Sequence, residues 1–249
     1  MRDPGAAKAL AALPGVKVFA LDVTEEASVT AAVAQAGAAF GAIDVLVNNA
    51  GYGLFGPFES ASEEVIRRQF ETNVFGLFKV THAVLPAMRE RGSGTIITVA
   101  SIGGLMAFPL FSLYHATKFA VVGFSESLAF ELAPLGIAVK TIAPGGVATD
   151  FASRSMARTF EGDAGPYAPT VGKVMARFGT QRANYASGES LGQAILGAAT
   201  DGSKRVLYVI GDDANAFLAT RAQLGPEAFA TLLTQRFGLD AAQSSSPSS

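Results

Sequence analysis

The feature that most constrains this chain is a regular alternation between short apolar runs rich in β-forming residues and longer segments with helical spacing. The runs predict strands at Val16–Leu21, Ile43–Asn48, Thr95–Ala100, Ile137–Ala143 and Arg205–Ile210. The segments between them predict helices at Glu25–Phe40, capped by Thr24, at Glu63–Arg91, opened by Ser62, and at Ser112–Leu135, closed before Gly136. Strands that alternate with helices pair in parallel, and strands that are apolar throughout suit a sheet covered on both faces. We therefore predict an α/β fold with a doubly wound parallel sheet.

Length and composition narrow the organisation of the chain. Of its 249 residues, 49% are hydrophobic and 16% are charged, which excludes a disordered protein or a coiled coil. We expect one domain over residues 1–240 and a disordered, Ser-rich tail over 241–249. The Gly- and Pro-containing stretch Phe151–Ser187 shows no clear strand. Because long insertions after strand ends cover the ligand crevice of such sheets, we expect it to cover the substrate, the alternative being a variable surface excursion.

Several classes of function are excluded by residue counts. The net charge of −2 gives no support for a nucleic-acid or membrane-surface partner, and the absence of cysteine excludes thiolate sites. Two histidines, His82 and His115, are too few for a His-based zinc site, so we predict no metal. No apolar run reaches the ~18 residues that cross a bilayer, and Met1–Gly5 carries no hydrophobic signal segment. We expect a cytoplasmic protein.

The most specific chemical motif is Tyr114-His115-Ala116-Thr117-Lys118, which places Tyr114 and Lys118 on one helix face. An ammonium ~4 Å from a phenol, at an effective dielectric of ~20, is worth up to ~4 kcal/mol, or about three pKa units. That interaction would lower the pKa of Tyr114 from near 10 toward neutrality, where a general acid or base works best. Alone, this spacing is weak evidence, because exposed helices often carry Tyr and Lys four residues apart.

Polar or Gly-rich turns follow four of the predicted strands. Asp22 follows Val16–Leu21, Asn48-Asn49-Ala50-Gly51 follows Ile43–Val47, Ser101 follows Thr95–Ala100, and Pro144-Gly145-Gly146-Val147-Ala148-Thr149 follows Ile137–Ala143. Asn73, a mediocre helix former, interrupts the helix Glu63–Arg91. Parallel sheets bind ligands at the carboxyl ends of their strands. This convergence is hard to explain by packing alone and predicts a site at that edge.

Together these residues resemble the short-chain dehydrogenase/reductase family, in its single-domain branch. The match is carried by Asn49-Ala50-Gly51, Asn73, Ser101, Tyr114, Lys118 and the turn Pro144-Gly145…Thr149, in order and spacing. It implies a Rossmann-like domain that transfers a hydride between a nicotinamide cofactor and a carbonyl or secondary alcohol.

The resemblance implies a role for each residue. Tyr114 would exchange the proton with the substrate oxygen, Ser101 would hydrogen-bond that oxygen, Lys118 would lower the pKa of Tyr114 and hold the nicotinamide ribose, and Asn73 would anchor a water that relays protons to Lys118. The cofactor would contact Asp22, Asn49, Ala50, Gly51, Pro144, Gly145, Val147 and Thr149.

The chain departs from the family at its start. The family opens with a strand, a T-G-x-x-x-G-x-G turn, a helix and a second strand, none of which this sequence contains. We expect an N-terminally truncated sheet that holds the cofactor diphosphate poorly. The alternative function is therefore a non-catalytic remnant, or a binding or regulatory subunit. Gly51-Tyr52-Gly53-Leu54-Phe55-Gly56 spells G-x-G-x-x-G, but Pro57 and Phe58 follow it instead of an amphipathic helix, so we reject it as a phosphate site.

Two further expectations concern cofactor and assembly. Arg2 would fall beside the adenosine 2′ position, where an Arg accommodates a 2′-phosphate, so we predict NADP(H) over NAD(H). The helices Glu63–Arg91 and Ser112–Leu135 are apolar on more than one face, and in the family they pair across a two-fold axis. We expect a homodimer or homotetramer.

Overall fold

A computed structural model describes residues 3–148, 155–180 and 185–240. Their α-helices are α1 (Lys8–Ala11), α2 (Glu26–Phe40), α3 (Glu63–Phe70), α4 (Gly76–Arg91), α5 (Ser112–Leu132), α6 (Ala168–Gly179), α7 (Gly188–Thr200) and α8 (Asp212–Arg236). A π-helical turn, Glu71–Phe75, joins α3 to α4. Helix α8 bends at Gly225, which has a φ of 78° and precedes Pro226.

The central sheet has four parallel strands in the order β1-β3-β4-β8: β1 (Val45–Asn48), β3 (Gly94–Val99), β4 (Ile137–Pro144) and β8 (Leu207–Ile210). Two smaller parallel pairs lie apart from it. Strand β2 (Gly53–Phe55) pairs with β6 (Met156–Arg158), and β5 (Val147–Ala148) pairs with β7 (Ala186–Ser187).

Adjacent residues of β3 show that helices cover both faces of the sheet. Ile96 packs with Val84 and Met88 of α4 and Leu128 of α5, whereas its neighbour Ile97 packs with Ala198 of α7. Successive strand residues point to opposite faces. Both isoleucines are fully buried. The prediction of a doubly wound parallel α/β sheet is therefore confirmed.

The predicted first strand is wrong. Val16–Leu21 forms neither strand nor helix, and Val16 is 39% exposed. An apolar run becomes a strand when a neighbouring strand pairs with its backbone, and no described strand does so here. The other four predicted strands are present, shortened or shifted by one or two residues at their ends.

Of the two helix caps predicted at Ser62 and Thr24, the structure shows only the first. The Ser62 side chain accepts from the Val65 N–H at 3.3 Å and caps α3, as predicted. Thr24 does not cap α2, because its hydroxyl donates to Asp22 Oδ1 at 2.7 Å and the N-cap position is Glu25.

The prediction that Phe151–Ser187 lacks strands is also wrong. Its described part contains β6, α6 and β7, and β6 forms because Gly53–Phe55 offers it an edge to pair with. Residues 149–154, 181–184 and the tail 241–249 lie outside the described residues, so the predicted disorder of that tail is not tested. Among the described helices, none combines the length and the apolar character needed to cross a membrane.

Candidate active site

The predicted site is assembled where helix α5 crosses the ends of β3 and β4. Ser101 follows β3 and opens a short 3-10 turn, Ile102–Gly104, that packs against α5. A Cβ built at Gly104 would lie 2.7 Å from the Lys118 carbonyl oxygen. A side chain at this position would force the turn away from α5, so glycine is what lets Ser101 lie beside Tyr114 and Lys118.

Ser101 and Tyr114 form the polar centre of this arrangement. The Ser101 hydroxyl hydrogen-bonds the Tyr114 hydroxyl, and Ser101 Oγ also accepts from the Gly103 N–H at 3.0 Å. The Tyr114 side chain is buried beside Leu54, Leu113 and Phe111. The two hydroxyls therefore lie against apolar side chains. Such an arrangement allows a pair of hydroxyls to polarise a carbonyl group.

Lys118 lies behind the tyrosine ring. Its Nζ is 5.7 Å from the centroid of the Tyr114 ring and donates to the Val99 carbonyl oxygen at 3.0 Å. Burial disfavours the charged form and lowers the pKa of Lys118 to about 8.

The expected lowering of the Tyr114 pKa is not met. Burial raises the pKa of Tyr114 to about 12, and the hydrogen bond from Ser101 only partly opposes this. A lowered Tyr114 pKa would require a fully charged ammonium about 4 Å from the hydroxyl. Lys118 instead lies beside the ring, and its own pKa is lowered.

Asn73 occupies the π-helical turn, and this irregularity is the predicted interruption of the long helix. Its Oδ1 accepts from the Tyr52 N–H at 3.0 Å, and its Nδ2 donates to the Tyr52 carbonyl at 2.9 Å and to Thr117 Oγ1 at 3.2 Å. Asn73 thus fastens the turn after β1 to α5. Its contacts are with Tyr52 and Thr117, so a water relay to Lys118 stays a prediction.

An open cleft of about 1390 Å³ adjoins the turn after β1. Three predicted cofactor residues, Asp22, Ala50 and Gly51, line it together with Tyr52 and residues of α3. Asn49 is exposed beside them. The cleft is large enough to admit an adenosine-sized group.

The second group of predicted cofactor residues lies at the end of β4. Pro144 closes that strand, Gly145 and Gly146 form the turn, and Val147 opens β5. Arg2 and Thr149 lie outside the described residues. The residues present fit the two ends of a nicotinamide dinucleotide, but no T-G-x-x-x-G-x-G turn for its diphosphate occurs in the chain.

The G-x-G-x-x-G segment does not lead into a helix N-terminus, and its rejection as a phosphate site stays a prediction. Gly53–Phe55 forms strand β2, and the residues after it form a three-residue 3-10 turn, Phe58–Ser60, instead of a helix N-terminus.

Three structurally important side chains were missed from the sequence. Thr117 links Asn73 to α5, and its hydroxyl donates to the Tyr114 carbonyl at 2.7 Å. His115 Nδ1 accepts from the Phe108 N–H at 3.3 Å, and burial lowers the pKa of His115 to about 4. Asp213 accepts from the Gly146 N–H at 2.8 Å. The first two stand inside the Tyr114–Lys118 motif, so their position was a signal, whereas Asp213 lies 67 residues from its partner.

Comparisons with known proteins agree with this geometry. The family model described as short chain dehydrogenase matches residues 3–159. An uncharacterized oxidoreductase of Schizosaccharomyces pombe is 39% identical over 242 residues, covering 96% of this chain and 100% of that relative.

Solved structures are similar over most of the chain. A short-chain dehydrogenase from Streptomyces avermitilis is 34% identical, with a TM-score of 0.80 over 96% of this chain and 85% of that one. A 3-ketoacyl-(acyl-carrier-protein) reductase from Brucella melitensis, complexed with NADH, is 27% identical, with a TM-score of 0.71 over 84% of this chain and 83% of that one. With its parallel sheet and Ser101, Tyr114 and Lys118 gathered at one edge, the chain belongs to the short-chain dehydrogenase/reductase family of NAD(P)-dependent oxidoreductases, which transfer a hydride to or from a carbonyl or secondary alcohol.

Proposed function

We propose that this enzyme reduces an apolar carbonyl substrate with NADP(H), using Asn73, Ser101, Tyr114 and Lys118. The observation that carries the proposal is the hydrogen bond between the Ser101 and Tyr114 hydroxyls, with Lys118 5.7 Å from the tyrosine ring. The nicotinamide, when bound, supplies the hydride. Every other step is assigned to side chains of this chain.

Tyr114 delivers the proton in this proposal. Because its pKa is about 12, its hydroxyl is protonated at neutral pH and can donate to a substrate oxygen that gains negative charge. Ser101 donates to the same oxygen and orients it. This protonation state supports reduction over oxidation at neutral pH, since oxidation requires the phenolate.

Lys118 and Asn73 support that proton transfer. The Lys118 ammonium, held by the Val99 carbonyl, stabilises negative charge on the phenolate oxygen and would hold the nicotinamide ribose. Asn73 fixes the backbone of Tyr52, next to the cofactor turn Asn49–Gly51, and bonds Thr117 one residue before Lys118.

The apolar side chains around Tyr114 support the proposal of an apolar substrate. The segment before it carries Phe108 and Phe111, whose rings contact Phe178 of α6 and Phe217 of α8. Segment 155–178 contributes Met156 and Phe160 to the same apolar cluster. Such a lining favours bulky, weakly polar carbonyl compounds over sugars.

The cofactor contacts proposed are Asp22, Asn49, Ala50 and Gly51 at the adenosine end and Pro144, Gly145, Val147 and Thr149 at the nicotinamide end. The preference for NADP(H) rests on Arg2 in the sequence, and the cytoplasmic location rests on the composition; both stay predictions.

A homodimer or homotetramer is proposed from the surface of the long helices. Phe75, next to α4, and Phe119 and Phe130 of α5 are exposed, Phe130 by 83%. Water-exposed aromatic side chains on neighbouring helices are typical of a surface that a second copy covers. Light scattering on the folded protein tests this, and a monomer mass at micromolar concentration would contradict it.

The function is tested by titrating NADPH and NADH into the protein and by screening carbonyl substrates for NADPH consumption. We expect weak NADPH binding, because the chain has no T-G-x-x-x-G-x-G turn to hold the diphosphate. The affinity for NADH should be lower still, and the substrates turned over should be apolar ketones. Failure of the protein to bind either nucleotide would favour the alternative of a binding or regulatory subunit, which the missing T-G-x-x-x-G-x-G turn supports.

A further inference from the structure

The turn that ends β4 is held by the C-terminal part of the chain. Gly145 N–H donates to the Ile210 carbonyl at 2.8 Å, Gly146 N–H donates to Asp213 Oδ2 at 2.8 Å, and the Gly146 carbonyl accepts from the Ala186 N–H at 2.9 Å. Three backbone polar groups of the turn therefore bond to residues 186–213. These partners lie beyond residue 159, where the family match ends.

Within the described residues, Asp213 provides the only side-chain hydrogen bond to the backbone of this turn. Asp213 stands in the first turn of α8, where the positive end of the helix dipole stabilises a carboxylate. Its Oδ1 is buried. A carboxylate held in this way accepts a stronger hydrogen bond from an N–H than a neutral group does.

The fit between Asp213 and the turn is close. A Cβ built at Gly145 would lie 2.3 Å from Asp213 Oδ1, and one built at Gly211 would lie 2.6 Å from the same atom. Both glycines are therefore needed to admit the carboxylate. The three atoms nearest to such a Cβ at Gly145 all belong to Asp213, so the shape of the turn and the position of Asp213 are coupled.

We propose that Asp213 is a positioning residue that fixes the Pro144–Val147 turn so that its backbone can meet the nicotinamide half of the cofactor. The inference rests on the proposed function, because it assigns that turn to the nicotinamide. Asp213 acts through Gly146 and does not touch the cofactor. Misplacing such a turn by a fraction of an ångström weakens the nicotinamide contacts while leaving the adenosine cleft, built from Asp22, Ala50 and Gly51, as it was.

The first experiment compares two ligands that differ in the nicotinamide. NADPH and 2′-phospho-ADP-ribose are titrated into the wild-type protein, Asp213→Ala and Asp213→Asn. Asp212→Asn is the matched control, because it removes a charge from the same helix turn without a contact to Gly146. For Asp213→Ala we expect the Kd of NADPH to rise about tenfold or more, the usual effect of leaving a buried donor unpaired, with 2′-phospho-ADP-ribose little changed.

Asp213→Asn should keep most of the NADPH affinity, because its carboxamide oxygen still accepts from Gly146 N–H. Asp212→Asn should bind both ligands as the wild type does. Equal weakening of both ligands by Asp213→Ala, or no weakening of either, would overturn the positioning role.

The second experiment needs no cofactor. Hydrogen exchange at the Gly146 amide is measured in the ligand-free proteins, and we expect protection in the wild type, Asp212→Asn and Asp213→Asn but fast exchange in Asp213→Ala. Unchanged exchange in Asp213→Ala would overturn the inference while leaving the proposed function intact. Absence of NADPH binding by the wild type would instead overturn the proposed function and the positioning role with it.

A double substitution checks the coupling. Gly145→Ala alone should weaken NADPH binding, because its methyl group meets the Asp213 carboxylate. In the Asp213→Ala background that methyl group has room, so the two effects should combine to less than the product of the single fold-changes. Fully multiplicative effects would contradict the proposed contact.

Discussion

Two buried lysines in this molecule have similar surroundings and different partners. Lys118 lies 5.7 Å from the centroid of the Tyr114 ring, and Lys140 lies 5.6 Å from that of Tyr208. Lys140 donates to the Ala198 carbonyl at 2.7 Å and also forms an ion pair with Asp201. Lys118 donates to a carbonyl, and no ion pair is found for it within the described residues.

The difference shows how one residue type serves two purposes. The ion pair of Lys140 ties β4 to the loop before β8, where Tyr208 also donates to Asp201 at 2.5 Å. Removing one partner of a buried ion pair is strongly destabilising, so this contact holds structure. Burial lowers the pKa of Lys118 to about 8, into a range where its charge responds to nearby groups.

The largest expected effect is a difference in turnover between variants of Tyr114 and Tyr208. Tyr114→Phe removes the proposed proton donor and should lower turnover by at least 10²-fold, the usual scale of general acid catalysis, without weakening NADPH binding. Tyr208→Phe removes a hydroxyl with the same burial and should leave turnover per folded molecule unchanged. Steady-state kinetics on both variants measure this, and near-normal turnover of Tyr114→Phe would reject the assignment.

Substitution of the two lysines should have different effects on turnover and on melting temperature. Lys118→Met should lower turnover by about tenfold or more, since a charge-assisted contact is worth about 1.5–3 kcal/mol, while the melting temperature holds or rises. Lys140→Met should leave Asp201 without its ammonium and lower the melting temperature, by about 2–4 °C for each kcal/mol lost at this chain length. A stable, active Lys118→Met would remove the distinction between the two.

The pH dependence of stability should have the same sign at the two sites but fall in different pH ranges. Lys118 binds its proton with a pKa of about 8 when folded and 10.5 when unfolded, so the unfolded chain holds more protons between these values and stability should rise with pH there. Hydrogen bonds from Lys140 and Tyr208 hold the pKa of Asp201 below its usual 3.8, so its contribution is present above about pH 4 and lost as the pH falls. Melting curves over pH for Lys118→Met and Asp201→Asn, each against wild type, should lose one of these two slopes.

His115 should add a third pH-dependent contribution to stability, on the acid side of neutrality. The pKa of His115 falls to about 4 from 6.5, so stability should decline as the pH falls from about 6.5 to 4, before Asp201 is protonated. His115→Gln should remove that first decline and leave the second. A single decline below pH 4 in the wild type would contradict the lowered His115 pKa.

The smallest effect concerns the outer face of Tyr208. The Arg205 guanidinium lies 4.5 Å from the centroid of its ring and is exposed. Arg205→Ala should cost about 0.5–1 kcal/mol of stability, the range of an exposed cation–π contact, and should not change turnover. Denaturant unfolding at fixed pH measures this loss of stability, with Lys204→Ala as the control. A loss larger than that of Lys140→Met would contradict this ranking of the two contacts.

How far the sequence predicts this molecule depends on the range of the interaction. The sheet, the long helices and the grouping of Ser101, Tyr114 and Lys118 follow from periodicity and from motif spacing, and the Ser62 cap follows from one local hydrogen bond. Val16–Leu21 was predicted as a strand because its composition is right, but a strand also needs a neighbour. Strand β6 was missed for the opposite reason, since its pairing partner lies about a hundred residues earlier.

Electrostatic detail was the least predictable part of the site. The spacing of Tyr114 and Lys118 sets which helix face they share, but it does not set how much water reaches them. Burial decided the direction of both pKa shifts. The role of Asp213 could not be recognised from the sequence. Acidic residues are common in the first turn of a helix, where the helix dipole stabilises them, so its position gives no sign of a distant partner.

The π-helical turn at Glu71–Phe75 also affects which length changes the chain can accept. It holds one residue more than an α-helix would over the same span, and one residue corresponds to about 100° of helix rotation. Deleting a residue between α3 and α4 would give a regular, locally more stable helix and would turn Asn73 away from Tyr52. Single-residue deletions, usually harmless in loops, should therefore be tolerated by the fold here while removing the contact that joins the turn after β1 to α5.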